Sequence, residues 1–150
     1  MKKNGILIDL FESEKTRAGK EEFARQSQPQ KVFSAIWAVE SEVNNGGFCQ
    51  YFSNESAESA SFVVEALETI GASKTASICK RALAAAFPAG IPTPETIRSA
   101  AGDFSDEILE KLEPLDQEFF SYPHSLTDLL FAYVSKHPEE FGALPTPNDG

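Results

Sequence analysis

Helix-starting and helix-ending residues recur along this chain, and they restrict its fold more than any other feature. Four hydroxyl residues stand where a helix N-terminus needs a cap: Ser27, with Pro29 and Gln30 in the first turn; Thr93, followed by Pro94; Ser105; and Ser125, with Asp128 three residues later. Gly71 and Pro88 stand where helices are expected to stop. No segment alternates convincingly as a strand. The chain is therefore predicted to be all-α, a single compact domain of six to seven helices over residues 1–150.

Apolar residues between these boundaries follow the spacing of helix faces. One stripe covers residues 32–43 and another covers 62–70. The second helix is expected to span 55–70, with Asn54 as its cap and Gly71 as its end. Further helices are predicted over 73–87, from Pro94, over 106–120 and from Ser125, with one final turn after Pro138.

The two ends of the chain carry weaker signals. Residues 143–150 are expected to form a frayed tail, and residues 1–26 match no pattern that assigns them. The apolar run near the start is short and is interrupted by Asp9 and Glu12, which argues against a signal peptide. No apolar run is long enough to cross a membrane. A cytoplasmic location is predicted.

Acidic residues outnumber basic ones, and their distribution is uneven. The chain has 13 Lys and Arg against 23 Asp and Glu, a formal net charge of −10. Residues 1–31 carry a net +2 and residues 32–150 a net −12, with no Lys or Arg between 32 and 73. Such a field repels nucleic acid and attracts cationic partners, but acidic proteins are common and the charge alone is also explained by solubility. Together with the helix face and the resemblance described below, it predicts a basic DNA-binding protein or a cationic toxin as partner, without direct nucleic-acid binding and without membrane association.

Residues with catalytic potential do not form a recognisable constellation. His124 and His137 each adjoin a proline and lie far from Cys49 in the sequence. Cys49 and Cys79 form no C-x-x-C pair and are expected to be buried thiols. The nucleophile-elbow, zinc-protease, P-loop and dinucleotide motifs are all missing from the sequence. We predict that the protein is not an enzyme and holds no cofactor or metal.

The stretch EVNNGGFCQYFSN, residues 42–54, joins two predicted helices. Gly46 or Gly47 is expected to take a positive φ, and Trp37, Phe48 and Phe52 to be mostly buried. Four amides gather in the same stretch: Asn44, Asn45, Gln50 and Asn54. They can satisfy backbone groups at neighbouring helix ends, or they can contact a ligand, and the first role is favoured.

One predicted helix separates its apolar and acidic residues onto opposite faces. With residues 106–120 placed at about 100° per residue, Ile108, Leu112, Leu115 and Phe119 share one sector. Asp106, Glu107, Glu110, Glu113 and Glu118 lie opposite, with Asp116 at the border; at Pro114 a kinked helix, or two short helices nearly in line, is expected. On the predicted 55–70 helix, Glu58, Glu65 and Glu68 oppose Val63, Leu67 and Ile70. These eight carboxylates are the candidate partner-binding face.

The central segment resembles a known family. The run Trp37-x-x-Glu40-x-Glu42-Val43-Asn44-Asn45-Gly46-Gly47-Phe48-x-Gln50-Tyr51-Phe52-x-Asn54 is similar to the signature of a family of small acidic all-helical bacterial DNA-mimic proteins, and the resemblance covers roughly residues 31–141. It implies that these signature residues are structural. It also implies a homodimer whose acidic surface occupies the DNA-binding face of a transcription regulator.

Three functions are compatible with these patterns. The first is a DNA mimic that occupies the DNA-binding face of a basic regulator. The second is an immunity protein or antitoxin that neutralises a cationic toxin through the same kind of surface. The third is a small-ligand or enzymatic site at the Asn-Asn-Gly-Gly segment, which requires a pocket lined by Asn45, Gln50 and Tyr51.

Overall fold

The described chain, residues 1–148 of a computed structural model, is built from eight α-helices. They are α1 (Lys3–Glu12), α2 (Gln28–Ser53), α3 (Val63–Thr69), α4 (Ser73–Ala86), α5 (Pro94–Ala101), α6 (Asp106–Phe120), α7 (Leu126–Ser135) and α8 (Pro138–Phe141). No strand occurs within residues 1–148. The all-α prediction is confirmed, and the helix beyond the expected six to seven is α1, which no sequence pattern had assigned.

Hydroxyl side chains cap the helices that they were predicted to start. The side-chain oxygens of Ser27, Thr93, Ser105 and Ser125 accept bonds from the backbone N–H groups of Gln30, Thr96, Ile108 and Asp128. The side chain of Gln30 does not complete a capping box. It accepts a bond from the N–H of Arg17 and donates to the carbonyl oxygen of Lys15, so it ties the segment before α2 to the start of α2.

Helix α2 lies at the centre of the core. It packs against α3, α5, α6 and α7 and against a short 3-10 helix, Glu55–Ser59. Val32, Phe33, Ile36 and Val39 are completely excluded from solvent. Because most other elements touch α2, the shape of this helix decides where they lie.

Aromatic rings join the C-terminal part of α2 to the helices that follow it. Phe48 meets Phe119 of α6 edge to face at 5.9 Å, and Phe52 meets Phe87 and Phe104 in the same way at 5.4 and 6.2 Å. Such pairs add roughly 0.5–1.5 kcal/mol beyond the burial of their area. The predicted burial of Phe48 and Phe52 is confirmed, since both are essentially inaccessible.

The helix predicted over 55–70 is wrong in its first half. Residues 55–59 form a 3-10 helix, and α3 begins only at Val63. The Ser56 hydroxyl donates to the carbonyl oxygen of Tyr51 at 2.7 Å, and the Tyr51 and Ser59 hydroxyls are bonded at 2.7 Å. These contacts fold the segment back against the end of α2, which is incompatible with a straight helix. The predicted stop at Gly71 is confirmed, with a φ of +89°.

The two ends of the described part of the chain, residues 1 and 148, lie side by side. Helix α1 buries Ile6, Leu7 and Leu10 and packs against α7. Residues 142–148 have no regular secondary structure, and the N–H of Asn148 donates to the carbonyl oxygen of Met1 at 3.1 Å. The predicted frayed tail, 143–150, extends two residues outside the described part of the chain. No helix in the described part is long and apolar enough to cross a membrane.

Candidate functional site

The Gly46–Gly47 pair kinks α2 and leaves a backbone donor free. Gly46 has an extended φ of −159°, Gly47 has a φ of +74°, and the helix resumes at Phe48. The predicted positive φ is therefore confirmed at Gly47. The N–H of Phe48 donates to Asp116 Oδ1 at 2.8 Å, so a carboxylate of α6 caps the second half of α2. A Cβ on Gly47 would lie 2.5 Å from Asp116 Oδ2, so any side chain there would displace the carboxylate.

Three of the four amides of the signature bind side chains, so their predicted role at backbone helix ends is wrong, and Asn54 makes no side-chain cap bond. Gln50 Nε2 and Asn54 Nδ2 both donate to Glu42 Oε2. Asn44 Nδ2 donates to the Tyr122 hydroxyl at 2.6 Å, and that hydroxyl donates to Glu40 Oε2 at 2.7 Å. Glu42 therefore holds Gln50 and Asn54 directly, and Glu40 holds Asn44 through the Tyr122 hydroxyl.

Burial shifts the acid–base properties of the residues around the kink. It raises the pKa of Glu40, although the hydrogen bond from Tyr122 opposes the rise. Burial also raises the pKa of Asp116 against the effect of the Phe48 N–H. The pKa of Tyr122 is raised to about 12, first by burial. Tyr122 has a φ of +49°, a conformation that is uncommon outside glycine.

The Asn-Asn-Gly-Gly segment does not form the pocket that a ligand site there would require. Tyr51 is buried in the core and bonded to Ser59, Gln50 is bonded to Glu42, and Asn45 points into solvent. Asn45, Gln50 and Tyr51 line neither the cleft of about 730 Å³ described below nor the two smaller cavities beside α4 and α1. The geometry gives this alternative no support.

Helix α6 presents the predicted acidic face to solvent. Leu112, Leu115 and Phe119 are buried, Ile108 is half-buried, and Asp116 lies at the border. The five opposing carboxylates are all exposed: Asp106, Glu107, Glu110, Glu113 and Glu118. The helix is continuous through Pro114. We call these five carboxylates the α6 acidic face.

Two of the five carboxylates have basic partners. Arg81 forms two bonds of 2.8 Å with Glu118, and Lys111 lies 3.4 Å from Glu107. Asp106, Glu110 and Glu113 form no ion pair with any described residue. Three adjacent turns of α6 therefore carry uncompensated negative charge.

The three other predicted face residues do not share one helix. Glu58 lies in the 3-10 helix, where its Oε1 accepts the N–H of Phe23 at 2.9 Å. Glu65 lies in α3 and accepts a bond from Gln28 Nε2 at 3.1 Å, while Glu68 is exposed in the same helix. The predicted second acidic helix face, which assumed a helix over 55–70, is wrong because the backbone turns before Val63.

Histidine and cysteine side chains remain dispersed. His124 Nε2 accepts the N–H of Lys74, and His137 Nδ1 bonds the carbonyl oxygen of Tyr133. Cys79 is buried and Cys49 is half-buried, so the burial predicted for both holds fully only for Cys79. Burial raises the pKa of the Cys79 thiol to about 12, which disfavours the reactive thiolate. The described residues contain no group of three or more His, Cys, Asp or Glu side chains that could hold a metal.

A cleft of about 730 Å³ lies between the segment before α2, the middle of α2 and the 3-10 helix. Its aromatic lining comes from Phe11, Phe23 and Trp37. Its carboxylates are Glu21, Glu22, Glu42, Glu55 and Glu58, and Lys20 is the one basic residue among its described lining residues. Sequence reasoning missed this cleft because its walls come from three separate segments.

The fold and surface define a small all-α acidic protein with one densely charged helix face. The DMP19-like protein family matches residues 24–137, and the chain belongs to this family. The matched region runs from the segment before α2 to the end of α7 and includes the kink and the α6 acidic face. No curated protein and no solved structure matches the chain.

Proposed function

We propose that this protein is an acidic binding module, a DNA mimic that occupies the DNA-binding face of a basic DNA-binding protein. The α6 acidic face is the observation that supports the proposal. Its five carboxylates are exposed on one rigid helix, and three of them have no ion-pair partner among the described residues. A surface that served only solubility would intersperse more basic residues.

The spacing of these charges is close to that of a DNA strand. Residues 106–118 rise by about 18 Å along the helix axis, at about 1.5 Å per residue. Five carboxylates over that length give roughly one charge per 4 Å, against about 3.4 Å per phosphate in one strand. A protein face that binds phosphates would meet a similar density of negative charge.

The proposed assembly is a homodimer. Helix α6 exposes Leu109 and Phe120, each 40% accessible, and the two residues lie about 20° apart around the helix. The two residues lie about 16 Å apart along the axis on the same side of α6, and the proposed dimer interface buries both. Light scattering at micromolar concentration should give twice the chain mass of 16.4 kDa, and a value near 16.4 kDa would contradict dimerisation.

The partner can be isolated first and the face tested second. Proteins retained from a host lysate at low salt and released at high salt would be identified by mass spectrometry. The captured protein is then titrated against wild type and against a variant with Asp106, Glu107, Glu110 and Glu113 changed to Lys. We expect wild-type binding to weaken with salt and the variant to lose binding while keeping its helix content.

A matched control variant separates the effect of the α6 acidic face on partner binding from the effect of net charge. Changing Glu12, Glu14, Glu95 and Glu139 to Lys alters the net charge by the same amount at exposed positions outside α6. This control should retain most of the binding. Duplex DNA should compete with the protein for the partner. Mimicry is excluded if DNA and the protein bind the partner together, or if the α6 variant binds as well as wild type.

A further inference from the structure

We infer that the cleft beside Trp37 binds an arginine side chain from a basic segment of the partner. The inference rests on the proposed function, because it assigns the cleft a role similar to that of a DNA groove that accepts a basic arm. The α6 acidic face would then correspond to a phosphate backbone, and the cleft would accept a separate basic arm. The cleft has its own residues and can be tested separately.

The aromatic wall suits the flat, weakly hydrated guanidinium group. Phe11 stacks on Trp37 with ring centroids 4.5 Å apart and an interplanar angle of 12°, and Phe33 stacks on Trp37 at 5.4 Å and 15°, so a guanidinium would meet the part of the indole that these two rings leave uncovered. Trp37 is half-buried and lines the cleft, which meets the prediction that it lies mostly buried while leaving part of the ring accessible. Arginine packs both its aliphatic stem and its guanidinium plane on such surfaces.

Cations of the chain itself already occupy neighbouring aromatic rings. Lys20 Nζ lies 5.3 Å from the centroid of Phe11, and Lys31 Nζ lies 5.8 Å from the centroid of Phe23. Lys20 is fixed there, because its Nζ donates to the carbonyl oxygen of Phe11 at 2.7 Å and to Thr16 Oγ1 at 3.2 Å. Phe11 and Phe23 both line the cleft, so among its three rings Trp37 is the one with no cation of the described chain over it, and it is the ring proposed to take the partner's arginine.

Carboxylates without basic partners lie in the part of the lining nearest the 3-10 helix. Glu21 and Glu22 are paired with Arg17 and Arg25. Glu55 forms no hydrogen bond with a described side chain, and only one oxygen of Glu58 is bonded to the protein. With Glu21 and Glu22 paired, Glu42, Glu55 and Glu58 face the single Lys20, so the cleft keeps a net negative charge, which favours a cation and disfavours a phosphate. A volume of about 730 Å³ is ample for one arginine side chain.

The test uses a peptide and its neutral counterpart. Acetyl-Gly-Arg-Gly-Arg-Gly-amide and the same peptide with citrulline in place of arginine are titrated by calorimetry at low salt. Trp37 is the one tryptophan of the chain, so its fluorescence reports on this cleft. The arginine peptide should bind saturably and change the Trp37 emission. Equal binding of the citrulline peptide, or binding that leaves Trp37 emission unchanged, would overturn the inference.

Variants connect this binding to the cleft. Glu55→Gln combined with Glu58→Gln keeps an acceptor for the N–H of Phe23 and should weaken peptide binding about tenfold. Glu95→Gln combined with Glu139→Gln makes the same charge change outside the cleft and should leave binding unchanged. Equal losses in both variants would mean diffuse attraction and would overturn the site. Tighter saturation by spermidine than by the peptide would overturn the assignment to a protein side chain.

The two proposals fail in different ways. A cleft variant that binds the captured partner as tightly as wild type overturns the arginine site and leaves DNA mimicry standing. An α6 variant that still binds the partner overturns mimicry while its peptide binding in the cleft remains. The peptide titration needs no knowledge of the partner, so its result stands in either case.

Discussion

Gly47 combines two constraints at one position, a positive φ and the close approach of Asp116. Its φ and ψ of +74° and −175° lie in a region that is essentially restricted to glycine. We expect Gly47→Ala to lower the free energy of unfolding by on the order of 3 kcal/mol, because backbone strain and the clash with the carboxylate add. Urea denaturation measures this loss.

Gly19 provides the control for that substitution. Its φ is +73°, and a Cβ added there would meet nothing within 4 Å. Gly19→Ala should cost about 1 kcal/mol from the backbone alone. If both variants lose the same stability, the contact between Gly47 and Asp116 has no energetic role.

Glu40 makes the stability depend on pH. Its pKa lies above the ordinary 4.5 because burial outweighs the hydrogen bond from Tyr122. The folded state therefore favours the neutral carboxyl, and this stabilisation is complete below pH 4.5 and is lost as the pH rises through the folded-state pKa. Glu40→Gln keeps an acceptor for Tyr122 and removes the titration. Between about pH 4 and pH 7, its free energy of unfolding should fall less than that of wild type.

Urea denaturation across this pH range measures the difference. Glu95→Gln changes an exposed carboxylate and should keep the wild-type pH dependence. A Glu40→Gln curve parallel to wild type would show that burial does not shift this carboxyl.

The N-terminal cap of helix α6 stabilises this element. The Ser105 hydroxyl accepts the N–H of Ile108 at 3.2 Å. Ser105→Ala should cost about 1 kcal/mol and lower the melting temperature by about 2–4 °C. Ser99→Ala, at an exposed position inside α5, is the control and should melt within a degree or so of wild type, since surface changes cost about 0.5 kcal/mol or less. Equal melting temperatures for the two variants would contradict the capping role.

Elements with local signals were predictable from the sequence, and those fixed by distant contacts were not. The starts of α5, α6 and α7 follow directly from Thr93, Ser105 and Ser125, because a cap acts within one turn. Residues 55–62 depart from the prediction because hydrogen bonds to Tyr51 hold them against α2.

Within the candidate site, too, some features are encoded locally in the sequence and others depend on distant contacts. The α6 acidic face could be predicted because helical periodicity alone sets which residues are exposed. The Phe48–Asp116 bond spans 68 positions, and the cleft draws on segments between Phe11 and Ser59. No local pattern encodes contacts of that range.

The molecule as a whole carries enough negative charge to affect its own stability. Self-repulsion at a net charge of −10 destabilises the compact state, and salt screens it. We expect the melting temperature to rise by a few degrees between about 20 mM and about 500 mM NaCl. The α6 variant with four lysines has a net charge of −2 and should show a smaller rise. A melting temperature that falls with salt in wild type would contradict this expectation.

The contact between Gly47 and Asp116 also constrains how the family can diverge. A side chain at the glycine position collides with the carboxylate, and loss of the carboxylate leaves the N–H of Phe48 without its cap. Each change alone should lower the free energy of unfolding, so the two positions should be inherited as a pair. Among descendants of one ancestor, a lineage that replaces this glycine should also have replaced the aspartate and straightened the helix. The two positions can therefore sort relatives that share the kinked α2 from relatives that have lost it.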